Sequence, residues 1–432
     1  MSGSPAGAVA SDGELDDVLE LMFAFTGQRL PGRSSLKQMA AALQLLGDPQ
    51  QQLSVIHVTG TCGKTSTCYA IRALLEQAGW RTGLTVSPHI SGVNERVQID
   101  GQALDADRFR DELMAMLAIL EPMRGQLTYF ELVCCLALWE FARQGVDYAI
   151  VEVGIGGRRD ATNICQRPDK VSVIGPIGLD HTDKLGESLA EIAMQKAGII
   201  VPGGLVFVAA QDPIAMAVID AEVAQLAAQV IKVVPAEIAQ ATPRLEPVVM
   251  RANWAMAQAV VAALAERDGW QADRTSRLAA SIDNWSPPGR FEVFDIAGQQ
   301  VVLDGAHNPA KLAALVEVGR QEAWGPVPVL ATLLQAPETK LAASLAALEP
   351  LVGQLLATQF HFGHDAKSKQ SFPADQVAGV AAGLGMRTSV VTDPLQGLRQ
   401  LLATGAPRVL VTGSLYLVSA VRPWLLRAAS RA

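Results

Sequence analysis

Cysteine is scarce in this sequence, and the few cysteines present form no recognisable disulfide or metal-binding pattern. The 432 residues contain five, namely Cys62, Cys68, Cys134, Cys135 and Cys165. The number is odd and no two are spaced as Cys-x-x-Cys, which argues against a disulfide framework and against a structural zinc site. Free thiols are typical of compartments that are kept reducing, so we expect a cytoplasmic protein.

A net positive charge and long apolar runs are also lacking. Charged residues make up 18% of the chain and the formal net charge is −8, so no basic excess is available to displace counterions from nucleic acid. No apolar run approaches the roughly 20 residues that span a bilayer. Residues 1–14 are small and polar, without the basic start and apolar run of a signal peptide. We therefore expect a frayed tail over residues 1–14, and neither a nucleic-acid nor a membrane partner.

Several catalytic signatures are missing as well. The chain has no His-Glu-x-x-His motif, no Ser/His/Asp or Cys/His arrangement in a nucleophile context, and no paired carboxylates of the glycosidase type. What it has is enough apolar material for a large core, because half of its residues are hydrophobic. Its length predicts two or three domains.

Short apolar strands alternate with amphipathic segments along most of the chain, which indicates α/β units around a mostly parallel sheet. In the first part we predict strands at 53–58, 82–86, 148–153, 171–174 and 205–209, and helices at 65–78, 130–143 and 188–198. A Pro-Pro-Gly run at 287–289 interrupts regular structure. Beyond it we predict strands at 301–303, 329–333, 355–358, 389–392 and 409–411. The expected fold is an N-terminal α/β domain with a mostly parallel sheet, residues 15–290, plus a smaller Rossmann-like α/β domain, residues 291–432.

A glycine-rich loop between the first strand and its helix predicts a phosphate site. The loop reads Gly60-Thr61-Cys62-Gly63-Lys64-Thr65-Ser66. Glycines let backbone N–H groups face phosphate oxygens, and the helix N-terminus adds partial positive charge. In such loops the lysine reaches the β- and γ-phosphates and the following hydroxyl binds Mg²⁺. Val58 occupies the position of the first glycine in the usual eight-residue pattern, so this loop is a shorter variant. With this loop between strand and helix, we expect the N-terminal domain to be P-loop NTPase-like.

Polar residues follow other predicted strands, where open α/β sheets bind ligands. Glu152 ends one strand and precedes a run of glycines, which favours a metal-binding role over a surface carboxylate. His181 is either a metal ligand or proton shuttle, or a structural histidine. Lys196 lies in a predicted helix among apolar residues, where a lysine would normally extend to solvent. Ser87 and His307 each follow a predicted strand closely.

Together these segments resemble the folylpolyglutamate synthase/dihydrofolate synthase family of the Mur-ligase superfamily, from about residue 36 to about residue 417. The matching motifs, beside the phosphate loop, are Ser87-Pro88-His89, Asn94-Glu95-Arg96, Thr128-Tyr129-Phe130-Glu131, Glu152-Val153-Gly154-Ile155-Gly156-Gly157-Arg158, Asp160-Ala161-Thr162-Asn163, Asp180-His181-Thr182, Leu185-Gly186, Lys196-Ala197-Gly198-Ile199, Pro288-Gly289-Arg290 and Asp304-Gly305-Ala306-His307-Asn308. Each motif is weak by itself, whereas their joint order and spacing are specific.

The resemblance implies a set of nucleotide-binding residues. The family's phosphate loop corresponds to Gly60, Thr61, Gly63, Lys64, Thr65 and Ser66. Further contacts with ATP are implied for Asn253, Arg290, Asp304 and His307. ATP would then lie between an ATP-binding central domain and a C-terminal glutamate-ligase domain.

The resemblance also implies two Mg²⁺ sites. Thr65, Ser87 and Glu152 would surround the first, and Glu152, His181 and Lys196 would form the second. In the family the lysine that corresponds to Lys196 is carbamylated, which converts a cation into a carboxylate-like metal ligand. The catalytic residues would be Lys64, His181 and Lys196.

The implied activity is ATP-dependent ligation of L-glutamate to a folate or dihydropteroate carboxylate through an acyl phosphate, by a monomer that acts on small molecules. Three alternatives stay open: a Mur-type ligase with another acceptor, a P-loop NTPase switch, and a family member retained only for binding. The sequence departs from the family at Cys62, where asparagine is usual, and the segment 361–373 has no convincing arginine match to the family's C-terminal substrate region.

Overall fold

The computed structural model describes residues 15–27, 35–233, 248–278, 285, 287–362 and 369–429. The chain divides into two compact units, Met1–Trp285 and Ser286–Ala432. The boundary that the sequence places after Arg290 lies a few residues beyond this division. The expected tail over residues 1–14 is outside the described residues.

The first unit contains ten described helices and eight strands. The helices are α1 (Asp16–Phe25), α2 (Ser35–Leu45), α3 (Lys64–Gln77), α4 (Ala106–Ile119), α5 (Tyr129–Gln144), α6 (Thr182–Leu185), α7 (Leu189–Ala197), α8 (Pro213–Gln225), α9 (Val248–Arg267) and α10 (Ala272–Arg277). The strands are β1 (Val55–Thr59), β2 (Thr82–Thr85), β3 (Gln98–Ile99), β4 (Gln102–Ala103), β5 (Tyr148–Glu152), β6 (Val171–Ile174), β7 (Leu205–Val208) and β8 (Gln229–Lys232).

These eight strands form one sheet in the order β4-β3-β2-β5-β1-β6-β7-β8. The pairs from β2 to β8 are parallel, and only β3 and β4 run antiparallel to their neighbours. Every residue of β1 and β5 is buried, as expected of central strands covered by helices on both faces. The carboxyl ends of β2, β5, β1 and β6 therefore lie side by side at one edge of the sheet.

Two apolar clusters lie on opposite faces of this sheet around β1, and a third packs α7 and α8 on β6 and β7. Alternate residues of β1 point to opposite sides, so Val55 packs with α1, α2, α4 and α5, while Ile56 and Val58 pack with α3 and α9. Helix α5 is buried along nearly its whole length and begins with a capping box between Thr128 and Glu131. The sheet is thus a rigid platform for the loops at its edge.

The second unit contains a smaller sheet with helices. Its strands are β9 (Glu292–Ile296), β10 (Gln299–Leu303), β11 (Val327–Ala331), β12 (Val352–Ala357), β13 (His361–Phe362), β14 (Lys369–Gln370), β15 (Thr388–Val390) and β16 (Arg408–Thr412). Its helices are α11 (Pro309–Gln321), α12 (Glu338–Leu348), α13 (Ala374–Gly383), α14 (Pro394–Leu402) and α15 (Leu415–Ala429). Six strands pair in the order β15-β12-β11-β16-β10-β9, in which only β9 is antiparallel, and β13 pairs with β14.

Two mostly parallel sheets flanked by helices confirm the predicted α/β fold class. The predicted parallel strands and the three predicted helices are all present, with ends displaced by a few residues at most. The sequence analysis gave bounds for no other helix, and it did not name the parallel strand β8 or the antiparallel strands β3, β4, β9, β13 and β14. None of the described helices has both the length and the apolar character needed to cross a membrane.

Candidate active site

The phosphate loop joins β1 to α3, as the sequence predicts. Gly63 precedes the helix with a φ of 78°, a left-handed conformation that strongly favours glycine. A Cβ atom at this position would clash with Oδ1 of Asn253 on α9. The same oxygen accepts a hydrogen bond from the Thr67 hydroxyl at 3.3 Å. Asn253 therefore supports the loop from behind at the start of α3, where Ser66 is buried.

Two lysine side chains meet at one carbonyl oxygen of this loop. Lys64 Nζ donates to Gly60 O at 3.0 Å, and Lys196 Nζ, which arrives from α7, donates to the same oxygen at 2.8 Å. Both ammonium groups therefore lie at the phosphate loop, and Lys196 is 4% exposed. The sequence placed Lys196 in a helix among apolar residues, but the structure is needed to see that its side chain points toward the phosphate loop.

Thr61 is held by the segment 175–178 that follows β6. Its backbone N–H donates to Pro176 O at 2.8 Å. Its hydroxyl donates to Gly178 O at 3.0 Å and lies at the same distance from Gly178 N, which donates to it. In this conformation Thr61 fixes the shape of the loop.

Glu152, at the end of β5, is the acidic centre of the edge. It is 3% exposed, and its carboxylate accepts hydrogen bonds from the Thr65 hydroxyl at 2.9 and 3.1 Å and from the Ser87 backbone N–H at 3.1 Å. Three elements thus bring together the predicted first metal set. Carboxylate and hydroxyl oxygens are the ligands that Mg²⁺ prefers, so this donor set fits a magnesium ion.

His181 lies further along the same edge, after β6. It adopts a φ of 51° just before α6, its side chain is 48% exposed, and its Nε2 lies 4.0 Å from the Asp180 carboxylate. Among the described residues, no three His, Cys, Asp or Glu side chains cluster closely enough to hold a metal. The predicted second metal set includes Lys196, which offers oxygen ligands only if it is carbamylated.

The glycine run after Glu152 packs directly on the helix that carries Lys196. A Cβ atom on Gly157 would lie 2.7 Å from Gln195 O, and the N–H of Arg158 donates to that same carbonyl at 2.7 Å. Asn163 adds a bond from Nδ2 to Gly198 O at 2.9 Å. The distance between the Glu152 strand and the Lys196 helix is therefore set by backbone contact.

Asp160 shapes that glycine run from within. Its Oδ2 accepts from Ile155 N at 3.0 Å, and its Oδ1 accepts from the N–H and the hydroxyl of Thr162 at 3.0 and 2.5 Å. Burial raises the pKa of the Asp160 carboxyl, while the bonds from Thr162 and the backbone act in the opposite direction. The Thr162 hydroxyl also lies 2.8 Å from His57 Nε2 in β1.

One supporting side chain was not singled out by the sequence analysis. Gln211, just beyond β7, hydrogen-bonds with both Gly175 and Ile177. A neutral amide has no charge that would mark it as a candidate in a sequence. The position of Gln211 after a parallel strand was its one sequence signal.

Three predicted nucleotide residues gather in the second unit. Asp304 accepts from Phe291 N at 2.9 Å and from Ala306 N at 2.8 Å. Burial raises the pKa of the Asp304 carboxyl, and the positive charge of Arg290 opposes that rise. His307 has its Nδ1 2.7 Å from Gly305 O.

The backbone around Arg290 is held on both sides. Gly289 N donates to Glu292 Oε2 at 2.8 Å, and Glu292 in turn pairs with Arg422 on α15 at 2.8 Å, with both side chains less than a tenth exposed. The backbone of Arg290 is therefore held close to Asp304, which accepts a hydrogen bond from the N–H of the next residue, Phe291. The segment in which the sequence lacks an arginine match, 361–373, includes residues 363–368, which lie outside the described residues.

A phosphate loop, a buried carboxylate and two lysines at the carboxyl edge of a parallel sheet define an ATP-using α/β enzyme. Residues 58–240 match the Mur ligase middle domain. The chain is 31% identical over 436 residues to the folylpolyglutamate synthase of Lacticaseibacillus casei, covering 92% of this chain and 96% of the relative.

Solved structures agree. The structure of Mycobacterium tuberculosis folylpolyglutamate synthase complexed with ADP matches with a TM-score of 0.79 and 27% identity, over 96% of this chain and 98% of that one. The bifunctional folylpolyglutamate synthase/dihydrofolate synthase of Yersinia pestis, complexed with AMPPNP and a manganese ion, matches with a TM-score of 0.78 and 27% identity, over 98% and 100% of the two chains. This chain belongs to the folylpolyglutamate synthase/dihydrofolate synthase family of ATP-dependent ligases, which confirms the resemblance seen in its motifs.

Proposed function

We propose that this protein uses ATP to ligate L-glutamate to the carboxylate of a folate or dihydropteroate. The observation that carries the proposal is the convergence of Lys64, Thr65, Ser87, Glu152 and Lys196 at one edge of the first sheet. That arrangement suits a phosphoryl transfer, and the family membership supplies the class of acceptor and amine.

The proposed reaction has two steps. An oxygen of the acceptor carboxylate attacks the γ-phosphorus of ATP. The bond from that phosphorus to the β,γ-bridging oxygen breaks, so that ADP leaves and the acceptor becomes an acyl phosphate. The amine of glutamate then attacks the acyl carbon, phosphate leaves, and the amine loses a proton as the amide forms. The first step brings two anions together, so charge neutralisation dominates its barrier. Lys64 supplies a fixed positive charge where that repulsion develops.

The proposal includes metal binding by four of these residues together with His181. Thr65, Ser87 and Glu152 would hold one magnesium ion through oxygen atoms, and Glu152, His181 and Lys196 would hold a second. A bound magnesium ion neutralises phosphate charge and orients the transferred group. The chain's own part is to present these ligands from the end of β5, from the segments after β2 and β6, and from α3 and α7.

Carbamylation of Lys196 has a specific electrostatic rationale here. Two ammonium groups that share the Gly60 carbonyl lie no more than about 6 Å apart, and at an effective dielectric constant of 20 their repulsion is about 3 kcal/mol. A carbamate on Lys196 removes one positive charge and supplies carboxylate oxygens for a metal. It also keeps one N–H on Nζ, which can continue to donate to Gly60 O.

Nucleotide contacts from Asn253, Arg290, Asp304 and His307 are part of the same proposal. What supports them is local rigidity: Asn253 packs on Gly63, and the backbone that carries Arg290 is bonded to Glu292 and Asp304 on either side. We also propose that the enzyme acts as a monomer on small molecules in the cytoplasm, a setting that suits five free cysteines. Light scattering after gel filtration tests the monomer.

The deciding experiment is a product assay. Phosphate release from ATP with magnesium is measured with dihydropteroate and then with tetrahydrofolate, each with and without L-glutamate, and the products are weighed by mass spectrometry. Glutamate-dependent turnover with a product heavier by one glutamyl unit is expected, and the acceptor that reacts names the activity.

Other outcomes would replace the proposal. Turnover only with another acceptor would indicate a Mur-type ligase. Slow ATP hydrolysis that is indifferent to glutamate and to both pterins would indicate a P-loop switch. Binding of nucleotide without any turnover would indicate a member retained for binding.

A further inference from the structure

The side-chain amide of Gln211 spans two backbone groups in the loop after β6. Its Oε1 accepts a hydrogen bond from Ile177 N at 2.9 Å, and its Nε2 donates to Gly175 O, also at 2.9 Å. Gln211 itself lies beyond the carboxyl end of β7, the strand that pairs with β6 in parallel. The amide thus continues the ladder between these two strands past the point where the strands end.

The bridged loop needs such support because of its composition. Its sequence is Gly175-Pro176-Ile177-Gly178, so it has one residue without an N–H and two without a side chain. Backbone polar groups in a partly buried loop must find partners outside regular structure. Gln211 provides partners for two of them, because its amide carries both an acceptor oxygen and a donor NH2 group.

The loop in turn supports the phosphate loop. Thr61 is bonded to Pro176 and to Gly178, as described above. The two loops also touch directly, since a Cβ atom on Gly60 would lie 3.2 Å from Gly175 Cα. Hydrogen bonds therefore run from Gln211 through residues 175–178 to Thr61, next to the Gly60 carbonyl that both lysines contact.

From this chain of contacts we infer that Gln211 is a positioning residue for nucleotide binding. It holds the segment 175–178 against Thr61, and so sets the shape of the phosphate loop without touching the nucleotide. The inference rests on the proposed function, because it assumes that ATP phosphates bind at this loop. It assigns to β7 a part in the site that is otherwise built on β1, β2, β5 and β6.

Two substitutions at this position distinguish the role of the acceptor Oε1 from that of the donor Nε2. Gln211→Met keeps the shape of the side chain and removes both hydrogen bonds. Gln211→Glu keeps an acceptor for Ile177 N and removes the donor to Gly175 O. Gln225→Met, at the exposed end of α8, is the matched control, because it makes the same chemical change away from the loop.

The first measurement is amide hydrogen exchange at Ile177 in the full-length protein. Exchange in Gln211→Met should be about tenfold faster than in wild type, as expected when one hydrogen bond is lost. In Gln211→Glu and in Gln225→Met it should stay close to wild type. Wild-type exchange at Ile177 in Gln211→Met would overturn the inference.

The second measurement is calorimetric affinity for a non-hydrolysable ATP analogue with magnesium. Gln211→Met should bind about tenfold more weakly than wild type with a similar melting temperature, and Gln225→Met should bind normally. Wild-type affinity in Gln211→Met, despite faster exchange at Ile177, would also overturn the inference. A wild-type protein that binds no nucleotide would instead contradict the proposed function, while the exchange result at Ile177 would still be read independently.

Discussion

The Gly60 carbonyl oxygen is the point at which the single residues of this site are most tightly linked. Lys64 and Lys196 approach it from different elements, one from the start of α3 and one from α7. A positive charge on Lys64 favours an anion at the loop, whereas carbamylation would give Lys196 a metal-binding role instead. The contribution of each lysine can be separated by substitution.

Replacement of Lys64 should abolish turnover while the protein stays folded. We expect Lys64→Ala to lower kcat by about 100- to 1000-fold or more. That is the usual effect of removing one hydrogen-bond donor that stabilises the charge developing in a transition state. Steady-state kinetics and circular dichroism measure the two halves of this prediction. Lys37→Ala, an exposed lysine on α2, is the control, and ligase activity retained in Lys64→Ala would contradict the assigned role.

Replacement of Lys196 should cause a loss that small carboxylates can partly repair. In Lys196→Ala the proposed carbamate is missing, and acetate or formate could supply the oxygen ligands in its place. Activity is measured across a carboxylate concentration series, with chloride at equal ionic strength as control. A carbon-13 carbamate signal in wild type grown with labelled bicarbonate, absent from the variant, gives an independent readout. A fully active Lys196→Ala would show that the lysine is structural.

The residues of the site were predictable to different degrees, and chemistry explains the difference. Lys64, Thr65 and Glu152 stand in a strand–loop–helix context or at a strand end, so their residue types and positions carry the signal. Gln211 and the support that Asn253 gives to Gly63 arise from packing between segments far apart in the chain. No local pattern encodes such contacts.

At the scale of elements, the glycine run after β5 acts as a spacer between Glu152 and α7. We expect Gly157→Ala to lower kcat and to destabilise the first unit by about 1 to 3 kcal/mol, because its Cβ would press on the Gln195 carbonyl and displace the end of α7. Kinetics and urea unfolding measure the two effects. Gly379→Ala, in α13 with open space around the added atom, should be neutral or stabilising. An unaffected Gly157→Ala would show that α7 can shift freely.

Parallel strands were easier to predict than antiparallel ones for a physical reason. Buried parallel strands are apolar runs followed by helices, and β1, β5 and β6 show that pattern. The strands β3 and β4 have two residues each, too few for any periodicity. The turn from β9 to β10 uses Ala297 and Gly298, both with positive φ, but alanine in the first position hides the usual hairpin signal.

At the scale of the whole molecule, one buried amine should give the stability a distinctive pH dependence. Lys170, beside β6, is 1% exposed, and its Nζ lies 3.4 Å from Asn163 Oδ1. Burial lowers the pKa of its ammonium group from 10.5 to about 8. Between these two values the unfolded chain binds the proton and the folded chain does not, so folding becomes more favourable as pH rises through this window.

We therefore expect Lys170→Met to remove that rise. The free energy of unfolding of the first unit is measured with urea at several pH values from 7 to 10.5, and the quantity compared is the difference between variant and wild type. Lys170→Met should have the higher free energy of unfolding at pH 7, and its difference from wild type should shrink by up to about 3 kcal/mol toward pH 10.5. A difference between variant and wild type that does not change with pH would show that Lys170 has the same pKa in the folded and the unfolded chain.

The edges of the two sheets bear on how this protein behaves at high concentration. In the described part of the chain the first sheet ends on β4, with two residues, and on β8, with four, of which Lys232 is exposed and paired with Asp220. Short and charged edge strands are poor templates for strands from other molecules. The second sheet ends on β15, with three residues that include the exposed Val390, and on β9, whose five residues include the exposed Val293 and Asp295. β9 is the longest of these four edge strands, so at high concentration it presents the longest sheet edge to another copy of this chain.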